Sequence, residues 1–437
     1  MNIKNQYFLS ILESALKVLM KYPLCDHCLG RLYAKLGLEL GNDERGRAIK
    51  TLLLMFLYKK YEENSINCEE LYKLAVNAGD PITRLYYKLC GGDKLEQHPC
   101  YICGAKISRE YFYKLAEKIA TELKSINAYK FVVGVSLPED IALKEIEVYR
   151  NTGLELSESI KNEIKRETGK IIRDLHGLIP EFKEPEAMAI VNYIDDSITI
   201  IVNPILLEGR YWKRGRNISH VPWTDRYGKK LYPYSLYDFF NESLREVYEA
   251  DEVVIHASGR EDVDARMLGE GRPLVVEIRN PRFRYVDLDL VNELLKSDLI
   301  EAVVTSRASR SRIKYLKEFS SKKRKAYKLL IMSEDPLDSD QLRSLEEYFS
   351  NRLINQYTPT RILRRKKERL RIKRVHSVKT MLITDHLFEA LIYCDGGLYV
   401  KELVHGDRGR TTPSFAEFLG TVLYPLEIDV FGVEAVS

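Results

Sequence analysis

The sequence predicts an α+β protein made of two domains. Three observations lead to that class. The chain has 437 residues, more than a single hydrophobic core commonly serves. Its first half is dominated by helical periodicity. From Tyr234 onward, strand candidates are separated by helices at irregular intervals, which suits a mixed sheet and not a regular βαβ series.

The elements follow in order. Residues 1–60 read as helical: Ile11, Leu12, Ala15, Leu16 and Leu19 recur at the spacing of one helix face, and residues 50–60 form a second, well-buried helix. Residues 110–170 carry more helix, interrupted by the strand-like run 130–135. Two β-rich runs, 187–193 and 197–202, predict a hairpin with Ile194-Asp195-Asp196 at its turn. Residues 209–233 show no period, so the linker or domain border is placed there. Beyond it, strands are predicted at 252–257, 273–278, 299–305, 327–332, 381–384, 390–394 and 398–404, and helices at 288–296, 311–319 and 339–349.

The composition, 45% hydrophobic and 30% charged, is that of a soluble globular protein, and a net charge of +4 does not by itself call for a polyanionic partner. The N-terminal segment carries Lys4, Glu13 and Lys17 in place of a continuous apolar stretch. The apolar run 52–58 is far shorter than a membrane span. A cytoplasmic protein without membrane contact is therefore expected. No phosphate loop, no G-x-G-x-x-G after a strand, no H-E-x-x-H and no G-x-S-x-G is present.

Four of the seven cysteines form two C-x₂-C knuckles, Cys25/Cys28 and Cys100/Cys103, each with a proline shortly before it and a glycine shortly after. Two such knuckles complete a tetrahedral Cys₄ shell, which has no open coordination position and so points to structural zinc. A redox dithiol and unrelated buried cysteines are the alternatives. A helical insert must lie between the knuckles. Cys68, Cys90 and Cys394 lack this pairing and read as small buried apolar residues.

Positive charge is gathered into segments. Residues 361–379 are opposed only by Glu368. Further groups are Arg307, Arg310, Arg312 and Lys314; Lys322, Lys323, Arg324 and Lys325; and Arg210, Lys213, Arg214 and Arg216, with Tyr211 and Trp212 interleaved. One such run is commonly a solvated face. Four on a nearly balanced chain form the footprint of nucleic-acid binding, and the aromatics favour looped or single-stranded RNA.

The segment 257–266 places three acids and two arginines around Gly259, directly after the apolar run 253–255. A carboxylate on such a turn can serve as nucleophile, general base or anion clamp, or be a charged surface turn. With two later segments it resembles the pseudouridine synthases. Gly259-Arg260-Glu261-Asp262 matches the G-R-x-D motif of that superfamily. Lys325-Ala326-Tyr327-Lys328 matches the basic-x-Tyr motif, and Gly397-Leu398-Tyr399-Val400-Lys401 resembles G-T-Y-[IV]-[RK], with Leu398 in place of Thr.

Residues 258–273 and 401–413 are similar to the archaeal tRNA enzymes of this family that act on uridines 54 and 55 of the T loop. The resemblance implies a mixed, largely antiparallel sheet flanked by helices over 231–437. It also implies a zinc-binding, THUMP-containing α/β RNA-binding region over 1–230. Asp262 would be the catalytic carboxylate. Tyr327 would stack on the base, with the C5 proton going to it or to water. Lys401 would pair with Asp262, Arg260 would hold the backbone or the extruded nucleotide and Tyr399 would pack beneath the site. Asp264 is the rival carboxylate, and His405 with Asp407 reads as a positioning loop. The substrate would be tRNA, the protein a monomer, and the isomerisation would need no organic cofactor. The alternative is an RNA-binding module whose acids are structural.

Overall fold

The computed structural model describes residues 3–92, 95–152, 155–319, 324–363 and 367–433. It divides into two units, Met1–Asn203 and Pro204–Ser437. Residues 204–230, assigned from the sequence to the first region, thus lie in the second unit.

The first unit opens with α1 (Ile3–Lys21), α2 (Asp26–Arg31), α3 (Asn42–Glu62), α4 (Cys68–Ala78) and α5 (Ile82–Cys90). An α/β part follows: α6 (Arg109–Ser125), β1 (Lys130–Ser136), α7 (Glu139–Thr152), α8 (Ile160–His176), β2 (Ile179–Pro180), β3 (Ala187–Asn192) and β4 (Ile198–Val202). The sheet runs β2-β1-β3-β4, and its β3–β4 pair is the antiparallel hairpin expected from the sequence. Helix α6 starts where Ser108 Oγ accepts from the Tyr111 amide, and it buries Phe112, Leu115, Ala116, Ile119 and Leu123 along one stripe. Cys68 and Cys90 are not isolated apolar residues. They form a disulfide with a Cα–Cα distance of 5.8 Å, because α4 and α5 fold back as a hairpin that sets the start of one beside the end of the other. Cys394 is buried, as expected.

The second unit comprises β5 (Ile205–Lys213), β6 (Ile218–Ser219), β7 (Tyr234–Ser235), α9 (Leu236–Leu244), β8 (Glu252–Ala257), β9 (Arg266–Arg279), α10 (Leu288–Leu294), β10 (Ile300–Arg307) and α11 (Arg310–Phe319). It continues with β11 (Arg324–Ser333), α12 (Ser339–Phe349), β12 (Arg352–Gln356), β13 (Arg371–Thr384), β14 (Leu387–Asp395), α13 (Val400–His405), β15 (Thr411–Thr412), α14 (Phe415–Leu419) and β16 (Leu423–Val433).

Ten strands form one sheet in the order β10-β5-β9-β16-β11-β14-β13-β12-β15, with β8 on β9. It is antiparallel except where β16 meets β9. Two cores flank it. One gathers Tyr211, Phe240, Leu274 and Val304, and the other Leu329, Phe349, Phe388 and Phe415.

Two sequence expectations fail here. Residues 209–213, placed in the linker from the sequence, are instead the second half of β5 inside the sheet, hidden because exposure along that strand does not follow a clean two-residue period. Residues 398–404 form no strand. Gly397, at φ 90°, turns the chain off β14, and Val400, Leu403 and Val404 bury at helical spacing to make α13. Among the described residues, no helix is long and apolar enough to cross a membrane.

Candidate active site and metal centre

The acid loop joins two paired strands. Ser258 N–H donates to Pro273 O at 2.9 Å, closing the β8–β9 ladder, and Gly259 turns the chain with φ 80°. Successive side chains then part. Glu261 turns inward and is buried, with Arg272 Nε at 2.9 Å, the Tyr211 hydroxyl donating at 2.9 Å and Lys213 Nζ at 3.8 Å. Burial pushes the Glu261 carboxyl up, but Arg272, His220 and Lys213 outweigh it and hold it well below the usual carboxylate range. Lys213, fully buried, donates to the carbonyls of Ile218, Asp262 and Val263 at 3.0, 3.1 and 3.2 Å. A fixed cation thus sits beneath the backbone of the loop.

Asp262 turns outward into a cleft of ≈ 290 Å³, near the lower end of ligand-pocket sizes. Its Oδ2 lies 3.2 Å from an Arg361 nitrogen and 3.7 Å from Lys401 Nζ. Lys401 is nearer to Asp264, at 2.6 Å, so the two rival acids share one lysine, but only Asp262 lines the cleft. Lys401 stands in the first turn of α13, and Arg361 follows Pro359 in a short 3₁₀ turn, where its Nε also donates to the buried Glu402 at 2.8 Å.

Tyr327 lines the same cleft from β11, held between β16 and β14. Burial pushes its phenol well above the usual range, so the hydroxyl stays neutral. Tyr399 is clamped by buried Gln356, whose Oε1 accepts from the Tyr399 amide at 2.8 Å and whose Nε2 donates to its carbonyl at 3.0 Å. The Arg371 guanidinium lies 5.1 Å from the Tyr399 ring centre. Arg260 is exposed at the rim. Asp407 accepts from the Thr360 amide at 2.8 Å, so it fixes the turn that carries Arg361.

The structure therefore brings Asp262, Tyr327, Lys401, Tyr399 and Arg260 to one cleft. Sequence reasoning missed four contributors: Arg361, Arg272, Lys213 and Gln356. Arg361 was one cation of a basic run, and Lys213 lay in the supposed linker. Arg272 and Gln356 carry no local signal. Of the basic segments, Lys322, Lys323, Arg364, Arg365 and Lys366 lie outside the described residues.

In the first unit the Sγ atoms of Cys25, Cys28, Cys100 and Cys103 all lie within 4.8 Å of one another. The Cys25–Cys103 separation is 3.6 Å. A tetrahedral ion with metal–sulfur bonds of about 2.3 Å spaces its sulfurs by about 3.8 Å, so the four thiolates fit such an ion. Helices α3 to α5 are the insert between the knuckles. Arg31, fully buried, donates to Cys28 Sγ at 3.3 Å and to Glu163 at 2.9 Å, and His27 lies 2.8 Å from the same carboxylate. The cluster is thereby tied to α8 and receives one compensating positive charge.

An acid loop, a sheet tyrosine and flanking cations on a mixed, largely antiparallel sheet define the class as pseudouridine synthase, joined here to a THUMP domain. Residues 206–434 match the family model described as Pus10, C-terminal, and residues 115–192 match Pus10 THUMP domain, archaeal. The chain belongs to the Pus10 family of tRNA pseudouridine synthases.

The tRNA pseudouridine synthase Pus10 of Thermosphaera aggregans is 48% identical, covering 98% of this chain and 97% of that protein. Those of Ignisphaera aggregans and Thermofilum pendens are each 39% identical, over 97% and 94% of this chain and 99% and 93% of theirs. A solved structure titled "Crystal structure of pseudouridylate synthase" aligns over 62% of this chain and 84% of that chain, at 15% identity and a TM-score of 0.22, a likeness too loose to bear on the site.

Proposed function

We propose that this tRNA pseudouridine synthase isomerises uridine 54, uridine 55 or both in the T loop, with Asp262 as the catalytic carboxylate. The observation that carries the reading is the placement of Asp262 at the cleft between Arg361 and Lys401, facing Tyr327. The target uridine leaves its stack at a cost of a few kcal/mol, which aromatic and cationic contacts offset.

In the cleft the N1–C1′ bond breaks, the uracil turns and a C5–C1′ bond forms. C5 loses a proton and N1 gains one, so atoms and electrons balance with no redox partner and no organic cofactor. Two cations beside Asp262 stabilise the attacking and departing carboxylate. The Tyr327 ring supports the base, Tyr399 with Arg371 walls the cleft, and Arg260 meets the RNA backbone at the rim. The four thiolates would hold zinc, which would supply a structural cross-link within the RNA-gripping unit and no chemistry at the cleft. The enzyme acts as a monomer in the cytoplasm.

The test is tritium release from an unmodified tRNA transcript labelled at uridine C5. Wild type releases tritium, and Asp262→Asn binds tRNA but lowers release by ~10³-fold or more. Release unchanged by Asp262→Asn would move the nucleophile elsewhere. No release from wild type with tRNA bound would leave only an RNA-binding protein. Transcripts with cytidine at position 54 or 55 assign the target.

A further inference from the structure

The face of the catalytic sheet turned away from Asp262 holds a second cleft. Strand β5 alternates. Tyr211 and Lys213 reach Glu261 and the acid loop, while Glu208, Arg210 and Trp212 face the other way. There they meet Arg312 and Tyr315 of α11 around a cavity of ≈ 250 Å³.

Its walls are fixed. The Trp212 indole donates to the Gly269 carbonyl at 2.8 Å and lies so close over Gly271 that a Cβ there would stand 2.6 Å from the ring. Arg210 donates to the carbonyls of Glu270 and Gly271 at 3.1 and 3.2 Å. Arg312 lies 2.7 Å from Glu208, and its guanidinium stands 4.9 Å from the Tyr315 ring centre.

Two aromatic walls with two guanidinium groups suit a planar ring system that carries negative charge. Glu208 adds selectivity. Its carboxylate also accepts from Ser306 Oγ at 3.1 Å and keeps lone pairs for an exocyclic amine, which cytosine, adenine and guanine have and uracil lacks. The track continues along α11, where Arg310, Lys314 and Lys317 border a neighbouring hollow. Such a row of cations can follow the phosphates on either side of a bound nucleotide.

We infer that this cleft binds one unstacked nucleotide whose base carries an exocyclic amine, its base between Trp212 and Tyr315 and its phosphate on Arg210 and Arg312. The inference rests on tRNA being the substrate and takes the nucleotide from the tRNA, away from the modified uridine.

The chain has two tryptophans, so Trp223→Phe leaves Trp212 as the single indole reporter. Its emission is followed with unmodified tRNA, and with millimolar CMP against UMP. The expected result is quenching by tRNA and by CMP, with a weaker response to UMP. Adding Tyr315→Ala then removes the CMP response and raises KM for tRNA ~5-fold or more at unchanged kcat. Bound tRNA with unaltered Trp212 emission and no CMP response overturns the site. A CMP response without a tRNA response keeps the nucleotide chemistry and overturns the RNA source. Tritium release separates this result from the isomerisation: intact release with a silent Trp212 sinks the second cleft alone, and quenching without release sinks the T-loop chemistry alone.

Discussion

Arg361 links the acid loop to the helix that carries Lys401, because one guanidinium reaches both Asp262 and Glu402. Replacing it with Met removes a charge partner of Asp262, the proposed nucleophile, and leaves the first unit unchanged. Steady-state kinetics should show kcat lower by ~10²-fold with a much smaller change in KM. Beneath the loop, Glu261 is held in its charged form by Arg272, so its folded pKa lies below the unfolded value. The stability it contributes is present above the usual Glu value of about 4.3 and drains away as pH falls below it. Arg272→Met strands that charge. Its cost, about 3–5 kcal/mol in urea unfolding at pH 7, should shrink at pH 4, where Glu261 can take a proton. Asp262 was readable from sequence because its neighbours Gly259 and Arg260 form a local pattern. Arg272, Arg361 and Gln356 were not, since each is defined by a partner that only the fold brings near.

At the scale of elements, the cysteine knuckles were legible because a C-x₂-C spacing is itself the geometry of the site, whereas the Cys68–Cys90 pairing depends on how α4 and α5 fold back. The zinc assignment has a direct check. Purified protein should contain one equivalent of zinc, and Cys100→Ala should not. Stripping the ion with a chelator should cost about 5 kcal/mol or more and lower the thermal midpoint of the first unit by at least about 10 °C. Helix α13 shows why 398–404 was misread. Seven residues with apolar positions at 398, 400, 403 and 404 satisfy both a strand and a helix pattern until the turn at Gly397 decides between them.

For the whole molecule, a net charge of +4 hides the segregation of cations along α11, β13 and the cleft. Affinity for tRNA should therefore fall by ~10²-fold or more between about 50 and 200 mM salt, measured by filter binding. The α+β class was legible because its longer helices and strands keep clear periods. The border between units was not, since β5 shares the composition of its neighbours and takes its meaning from pairing with β9 and β10. That pairing decides where the chain can be divided by an experimenter. A truncation starting near residue 231 discards β5, strips Lys213 from under Asp262 and leaves the ladders of β9 and β10 bare, an invitation to aggregate. A truncation starting at Pro204 keeps the sheet whole, so two fragments differing by fewer than thirty residues should differ in whether they stay in solution at all.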